Sequence, residues 1–419
     1  MARGKRVKRN GRAIPAAAFA AVLFFAFLLV FQGCAGGSAG APTEPASVET
    51  ASAEEEPAEA EPAALQIVAV GDVIVHLAQI AAQYDSATDA YDFSDNFQYV
   101  KKYIESADFA LCNLETTFAG PPYTGYPLFS APEALAPALK DLGFDVAVFA
   151  NNHVADKGVA GLQRTLDVLR ENRITPAGVR ADPAEPRHTI YEANGVKIGV
   201  VAYTYASSSA AGAPLINGAS VSAELAALVN YFRYGHLDED LEEVKKTVTQ
   251  AKNAGAEIVI AYYHWGEEYQ LKANRWQRYI AEKTVNEMDV DIIFGTHPHT
   301  LQEMDFLTKE GTGKRVPVFF SMGNFISNQR QETLDNRYTE IGVIARVDLT
   351  YDKEEKEIIS IQMSAVPTWV DKYRSGGKDA YAVIPLDEDL DANATLAASG
   401  HLGRAKRAWE DANGILGQD

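Results

Sequence analysis

From Leu65 onward short apolar runs alternate with helical stretches, and this alternation limits the folds open to the chain more than any other feature. The runs cover residues 67–70, 109–112, 146–150, 198–203, 258–263, 292–294 and 316–321, with helical periodicity at 161–172 and 237–254 between them. A short apolar run bounded by turn formers reads as a buried strand. Strands that take turns with helices predict an α/β fold. Two later runs, 341–349 and 358–366, alternate in polarity like antiparallel strands joined through 352–357, so the sheets are expected to be mixed.

In α/β sheets ligands collect beyond the carboxyl ends of the strands. Those ends read Gly71-Asp72, Asn113-Leu114-Glu115, Asn151-Asn152-His153, His264-Trp265-Gly266, Gly295-Thr296-His297-Pro298-His299 and Ser321-Met322-Gly323-Asn324. Each has an ordinary explanation when taken alone. Asp72 could cap a helix, Asn113 and Asn152 could hold turns, and His264 could be a hydrogen-bonded core histidine. Recurrence at successive strand ends favours one shared site instead. Its densest part is His297-Pro298-His299. Pro298 biases His297 toward extended backbone, where residues i and i+2 face the same side, so both rings are expected to meet at one point. Oxygen and imidazole ligands suit Mn, Fe, Zn or Mg rather than metals that prefer thiolate.

These motifs, together with Ala150-Asn151-Asn152-His153, Asp156, Gly158 and His264-Trp265-Gly266-Glu267-Glu268-Tyr269, resemble the CapA-like capsule and poly-gamma-glutamate synthesis proteins in content and order, from Leu65 to Ile384. That family is similar in fold to the calcineurin-like metallophosphoesterases. The resemblance therefore implies a four-layer αββα sandwich with two mixed β-sheets and one or two divalent metal ions. Carried over by position, Asp72 and His299 would hold the first metal, Glu115 would bridge, and Asn152, His264 and His297 would hold the second. His153 would face the substrate and move a proton, with Asp156 orienting it. Two positions depart from the phosphoesterase pattern: Ile74 stands where Asp-x-His would place a histidine, with His76 two residues later, and Glu115 replaces an aspartate. Both touch the first metal, so one-metal and two-metal centres stay open. His76, Asn113, Glu267 and Asn324 are further positions for metal or substrate contact. Residues 204–236 form an insertion with aromatic content, where substrate selection is expected.

The amino terminus is built differently. Arg3, Lys5, Arg6, Lys8, Arg9 and Arg12 precede an apolar run from Ala13 to Phe31 that ends at Gln32-Gly33-Cys34. This is the pattern of an export signal. Either Cys34 is lipidated and becomes the mature amino terminus, or the segment stays as an uncleaved membrane anchor; both place the body on the extracytoplasmic face of the bacterial membrane. Residues 35–64 are rich in Ala, Pro and Glu and read as a solvated tether. The domain is expected at 65–390, with a helical tail at 391–419. Loss of residues 1–33 removes six basic and no acidic residues and takes the net charge from −19 to −25, which excludes nucleic acid as a natural partner. Besides Cys34 the chain has only Cys112, expected as a buried free thiol. The expected partner is an anionic polymer such as poly-gamma-glutamate or capsule material, with other polymer-synthesis subunits. Two roles are consistent with that partner: a metal-dependent hydrolase for a phosphoester or amide bond, and a non-catalytic subunit that binds or passes the polymer.

Overall fold

The computed structural model describes residues 61–417. The expected export signal, Cys34 and residues 35–60 of the tether lie outside the described residues. Strand β1 (Ala63–Val73) begins inside the segment read as tether, because the Ile341–Asp352 strand continues its ladder as far as Ala63 paired with Tyr351. Next along the chain come β2 (Phe109–Leu114), β3 (Val146–Val148), β4 (Val196–Ser208), β5 (Ile258–His264), β6 (Ile292–Thr296) and β7 (Asn324–Ile326).

Among the described residues the strands form two mixed sheets, one of eight strands and one of nine, and a separate pair, Tyr84–Asp85 with Ala90–Tyr91. In the first, β1 is parallel to β2 and to β7 and antiparallel to Ile341–Asp352. The late pair expected from alternation is present and longer than read, since Glu357–Ser375 pairs along its whole second half with Lys378–Pro385. In the second sheet β4, β5 and β6 are parallel neighbours.

The period of two along each strand sorts side chains into layers. Ile67 and Ala69 of β1 join a central cluster, whereas Val68 and Val70 join one beneath helices. Ile258, Ile260 and Tyr262 of β5 enter the same central cluster, and Val259, Ala261 and Tyr263 face the other way. The central cluster is thus sheet against sheet, and the hydroxyl of Tyr262 crosses it to donate to the Val70 carbonyl at 3.1 Å. Helix Leu135–Leu142 covers the outer face of the first sheet through Leu135, Leu139 and Leu142. Leu237–Asn253 covers the second through Leu241, Val244 and Val248, spaced for one helical stripe. The result is a four-layer αββα sandwich.

The carboxyl-terminal helices Ala394–Ser399 and Leu402–Leu416 bury Leu396, Ala405, Ala408, Ala412 and Leu416 in the central cluster. The 204–236 insertion is built rather than loose: a hairpin (Pro214–Ile216 and Ala219–Ser220), a helix (Ala223–Leu228) and the strand Tyr231–Arg233, which pairs in parallel with β4. Cys112 is buried and free, and burial raises its thiol pKa. Among the described residues no helix is long and apolar enough to cross a membrane.

Candidate metal centre

Asp72 sits within β1, not beyond it, at a break in the register with β2 between Val70 and Asp72. Such an irregularity re-aims a side chain. The strand also runs very close to the residues before β7: Asp72 N–H donates to the Gly323 carbonyl at 2.9 Å, and a Cβ on Gly71 would lie 1.9 Å from that same oxygen. Asp72 Oδ1 accepts from the Asn113 amide at 2.8 Å, and Asn113 in turn accepts from Asn151 at 3.1 Å. Glu115 follows β2 directly, its N–H bonded to the Val73 carbonyl at 3.0 Å.

His264 ends β5, with Nδ1 3.0 Å from the Thr296 hydroxyl and Nε2 2.9 Å from Asn152 Oδ1. The orienting partner of its ring is therefore Thr296; Glu267 lies exposed in the following turn. His297 and His299 do meet at one place, but not through extended backbone. Their φ angles are +102° and +55°, in the left-handed region that a side chain disfavours. Strand β6 stops at Thr296, and the turn that follows folds both rings inward. The expectation from Pro298 was a local one, and the tertiary packing of this turn overrides it.

Ligand atoms of Asp72, Glu115 and His299 lie within 4.8 Å of one another, as do those of Glu115, His264 and His297. Glu115 belongs to both groups, with Oε1 3.7 Å from His264 Nε2 and 3.7 Å from His299 Nε2. It is fully buried, and neither of its oxygens has a hydrogen-bond partner; His297 Nδ1 is likewise buried and unpartnered. Buried polar atoms without partners cost ~1–3 kcal/mol each, more if charged. Three of them around one point fit a cation. Burial, and then the Asp72 carboxylate, raises Glu115 well above the ordinary carboxylate range. Burial holds His264 and His297 well below the ordinary imidazole value, in the neutral form that binds metal. Burial opposes the charged form of His299 too, but Asp72 at 3.0 Å from its Nδ1 outweighs that and raises its pKa.

Beside this cluster stands His153. Its Nε2 is 4.0 Å from Glu115 Oε1, and its Nδ1 is 2.9 Å from Asp156 Oδ2, which also accepts from the Phe129 N–H at 2.6 Å. The remaining expected positions divide. Asn113 and Asn324 are buried supports, Asn324 Oδ1 lying 3.1 Å from His299 Nδ1 while its amide donates to the Thr339 carbonyl at 2.9 Å. His76 belongs to neither ligand group. Its ring packs edge-on against Phe129 at 5.2 Å, its Nδ1 accepts from the Asn328 N–H at 3.3 Å, and burial lowers it to about 4.

No role for Thr296 or Phe129 was legible in the sequence, and Tyr205 lies within the 204–236 insertion, where substrate selection was expected without a particular residue. Phe129 packs 4.6 Å from the His153 ring and Tyr205 4.6 Å from the His297 ring. Neither Phe129 nor Tyr205 belongs to a polar strand-end motif, which was the signal used.

Residues 66–329 match the family described as bacterial capsule synthesis protein PGA_cap. The chain is similar to the capsule biosynthesis protein CapA of Bacillus anthracis, at 28% identity over 277 residues, covering 63% of this chain and 60% of that one. It is also similar to the PGA biosynthesis protein CapA of Bacillus subtilis, at 28% over 271 residues and 62% of each chain. It thus spans about six tenths of the length of these curated relatives. Among solved structures, the calcineurin-like phosphoesterase YfkN of Bacillus subtilis aligns at 17% identity with a TM-score of 0.42, over 73% of this chain and 91% of that one. With its residues matched over more than half their number, this chain belongs to the bacterial capsule synthesis protein PGA_cap family.

Proposed function

We propose that this protein acts on the extracytoplasmic face of the cell membrane in making or exporting a capsule or poly-gamma-glutamate, through a hydrolytic centre that needs divalent metal. The observation that carries the reading is Glu115, fully buried, without a hydrogen-bond partner on either oxygen, and common to two ligand groups. Asp72, Glu115 and His299 would hold one ion; Glu115, His264, His297 and Asn152 would hold the other. Bound there, Mn, Fe, Zn or Mg supplies Lewis acidity and an activated water.

The protein's own groups do the rest. Asn113 and Asn151 lock Asp72, and Thr296 locks His264. Asp156 turns His153 so that Nε2 faces the cluster, where it can give a proton to the departing oxygen or nitrogen of a phosphoester or amide. The setting is supported by the relatives, one named for capsule and one for PGA biosynthesis. The N-terminal segment would anchor the body through a lipidated Cys34 or as an uncleaved span, and metabolic labelling with a fatty acid separates the two: label on wild type that is lost in Cys34→Ala supports lipidation, and an unlabelled wild type that keeps residues 1–33 supports the span.

A polymer-holding role without turnover would need cations along a track. Lys102, Arg278, Arg330 and Arg337 are paired with Asp389, Glu303, Glu340 and Asp411, whereas Lys101 and Arg275 have no ion pair among the described residues. Metal held by the two ligand groups is the positive charge proposed to meet an anionic substrate. The test is metal content of the purified full-length protein, with His297→Ala and His299→Ala each expected to lower it; full retention in both would sink the assignment. His153→Ala is expected to keep its metal and lose ~10²–10⁴-fold in turnover. Unchanged polymer production by His153→Ala cells would favour the holding role.

A further inference from the structure

We infer that Tyr205 binds substrate, its phenol donating a hydrogen bond to the oxygen that carries or develops negative charge at the bond being broken. This rests on the hydrolytic reading above. Tyr205 lies near the end of β4, its ring 4.6 Å from the His297 ring and nearly parallel to His264, at 12° and 6.3 Å. It therefore walls the side of the cluster formed by these two histidines.

Buried and half-buried tyrosines normally find a partner for the hydroxyl. The tyrosines around Tyr205 obey this. Tyr203 pairs with Thr247 at 2.8 Å, Tyr263 with Thr284 at 2.8 Å, Tyr262 with the Val70 carbonyl at 3.1 Å, and Tyr234 accepts from the Gly266 N–H at 2.7 Å. Among the described residues the hydroxyl of Tyr205 has no such partner; the hydrogen bond that its residue makes outside the ladder is through the backbone carbonyl, to Thr204.

The ring is nonetheless held in place. Tyr205 is in register with Phe232 of the paired strand Tyr231–Arg233, and its ring stacks on Tyr234 at 5.9 Å and 28°. A fixed ring with a free hydroxyl beside a ligand cluster is a preorganised donor, and such donors act without reorganising when charge develops. No proton is transferred in this role. A phenol, with an ordinary pKa of ~10, keeps its proton at neutral pH. The chemistry recognised is an anionic oxygen, supplied by a phosphoryl group or by the tetrahedral form of an amide carbonyl.

Tyr205→Phe keeps the ring and removes only the donor. The full-length protein, loaded with Mn, is assayed with bis(p-nitrophenyl) phosphate and with gamma-glutamyl p-nitroanilide, which distinguish the two oxygen sources. Binding of inorganic phosphate is followed by calorimetry. Tyr205→Phe is expected to retain wild-type metal content and melting temperature, to lose at least ~10-fold in kcat/KM on whichever probe is turned over, and to bind phosphate several-fold more weakly. Values within about twofold of wild type in both assays would overturn the role of Tyr205 and leave the hydrolytic reading standing. Loss of metal or of melting temperature in Tyr205→Phe would overturn it as well, in favour of a packing role. Wild-type protein that binds phosphate without turnover, with weaker binding in the variant, would support Tyr205 while removing the hydrolytic reading. Metal-loaded wild type that neither turns over a probe nor binds phosphate would overturn the two together.

Discussion

Glu115 is the residue on which the centre turns. Its position after β2 was legible in sequence, as a carboxylate at a strand end, but its lack of any partner was not, because that depends on side chains from β1, β5 and the turn after β6. Raising a carboxylate's pKa has a definite sign. Without metal, the folded protein meets no penalty from Glu115 below the ordinary value of 4.5. As pH rises from there toward the raised value, the unfolded chain ionises first and stability is lost. The melting temperature of metal-stripped wild type should therefore fall relative to that of Glu115→Gln as pH rises from 5 to 8. With metal bound as proposed the order should reverse, because the variant would lack the charge shared by the two ligand groups. Parallel pH curves for the two stripped proteins would show that Glu115 is not held unpaired. The φ of His297, +102°, teaches the complementary lesson. A Pro-based rule describes an isolated dipeptide, while here the fold holds the backbone in a conformation that costs ~1–3 kcal/mol and that only surrounding structure can impose.

At the level of elements, placement of Asp72 depends on how closely β1 passes the residues before β7. A Cβ at position 71 would overlap the Gly323 oxygen at 1.9 Å, so Gly71→Ala must push these strands apart and carry Asp72 away from His299. We expect a loss of ~1–3 kcal/mol or more in stability by calorimetry, together with weaker metal binding. Gly235, where an added Cβ meets nothing within 4 Å and φ is not positive, is the control: Gly235→Ala should leave both unchanged. An equal effect at the two glycines would argue against the close approach as the cause. The strands themselves were readable because each is a short apolar run with a period of two. Less readable was the 204–236 segment. Its strands after β4 are no longer than three residues, too short for a periodic signal; Pro214–Ile216 and Tyr231–Arg233 exist because β4 offers them a partner, and Ala219–Ser220 because Pro214–Ile216 does. For the same reason the amino-terminal part of β1, Ala63-Ala64, looked like tether until its ladder with Ile341–Asp352 was seen.

Taken as a whole, a body at −25 repels polyanions at long range, and on the proposed function the cluster would meet them with metal charge at short range. Screening weakens the first more than the second, since the Debye length falls from ~30 Å at 0.01 M salt to ~8 Å at 0.15 M. The association rate of poly-gamma-glutamate with the metal-loaded protein should therefore rise over that range, and chelation should abolish binding at both ends. A rate that falls with salt would reveal a basic track instead. The strands themselves and the ligand types at their ends were legible in the sequence alone, because apolar period and turn chemistry are local properties, whereas the four-layer sandwich was implied only by the family resemblance and the strand order within each sheet is tertiary. Tertiary structure decided which of those ends converge, that Thr296 orients His264, that His76 and Glu267 stand outside both ligand groups, and that Tyr205 is left with a free hydroxyl on a ring that packs against His297. The physical reason is that a missing partner, a close backbone approach or a forced φ belongs to several segments at once, and no single stretch of sequence contains it.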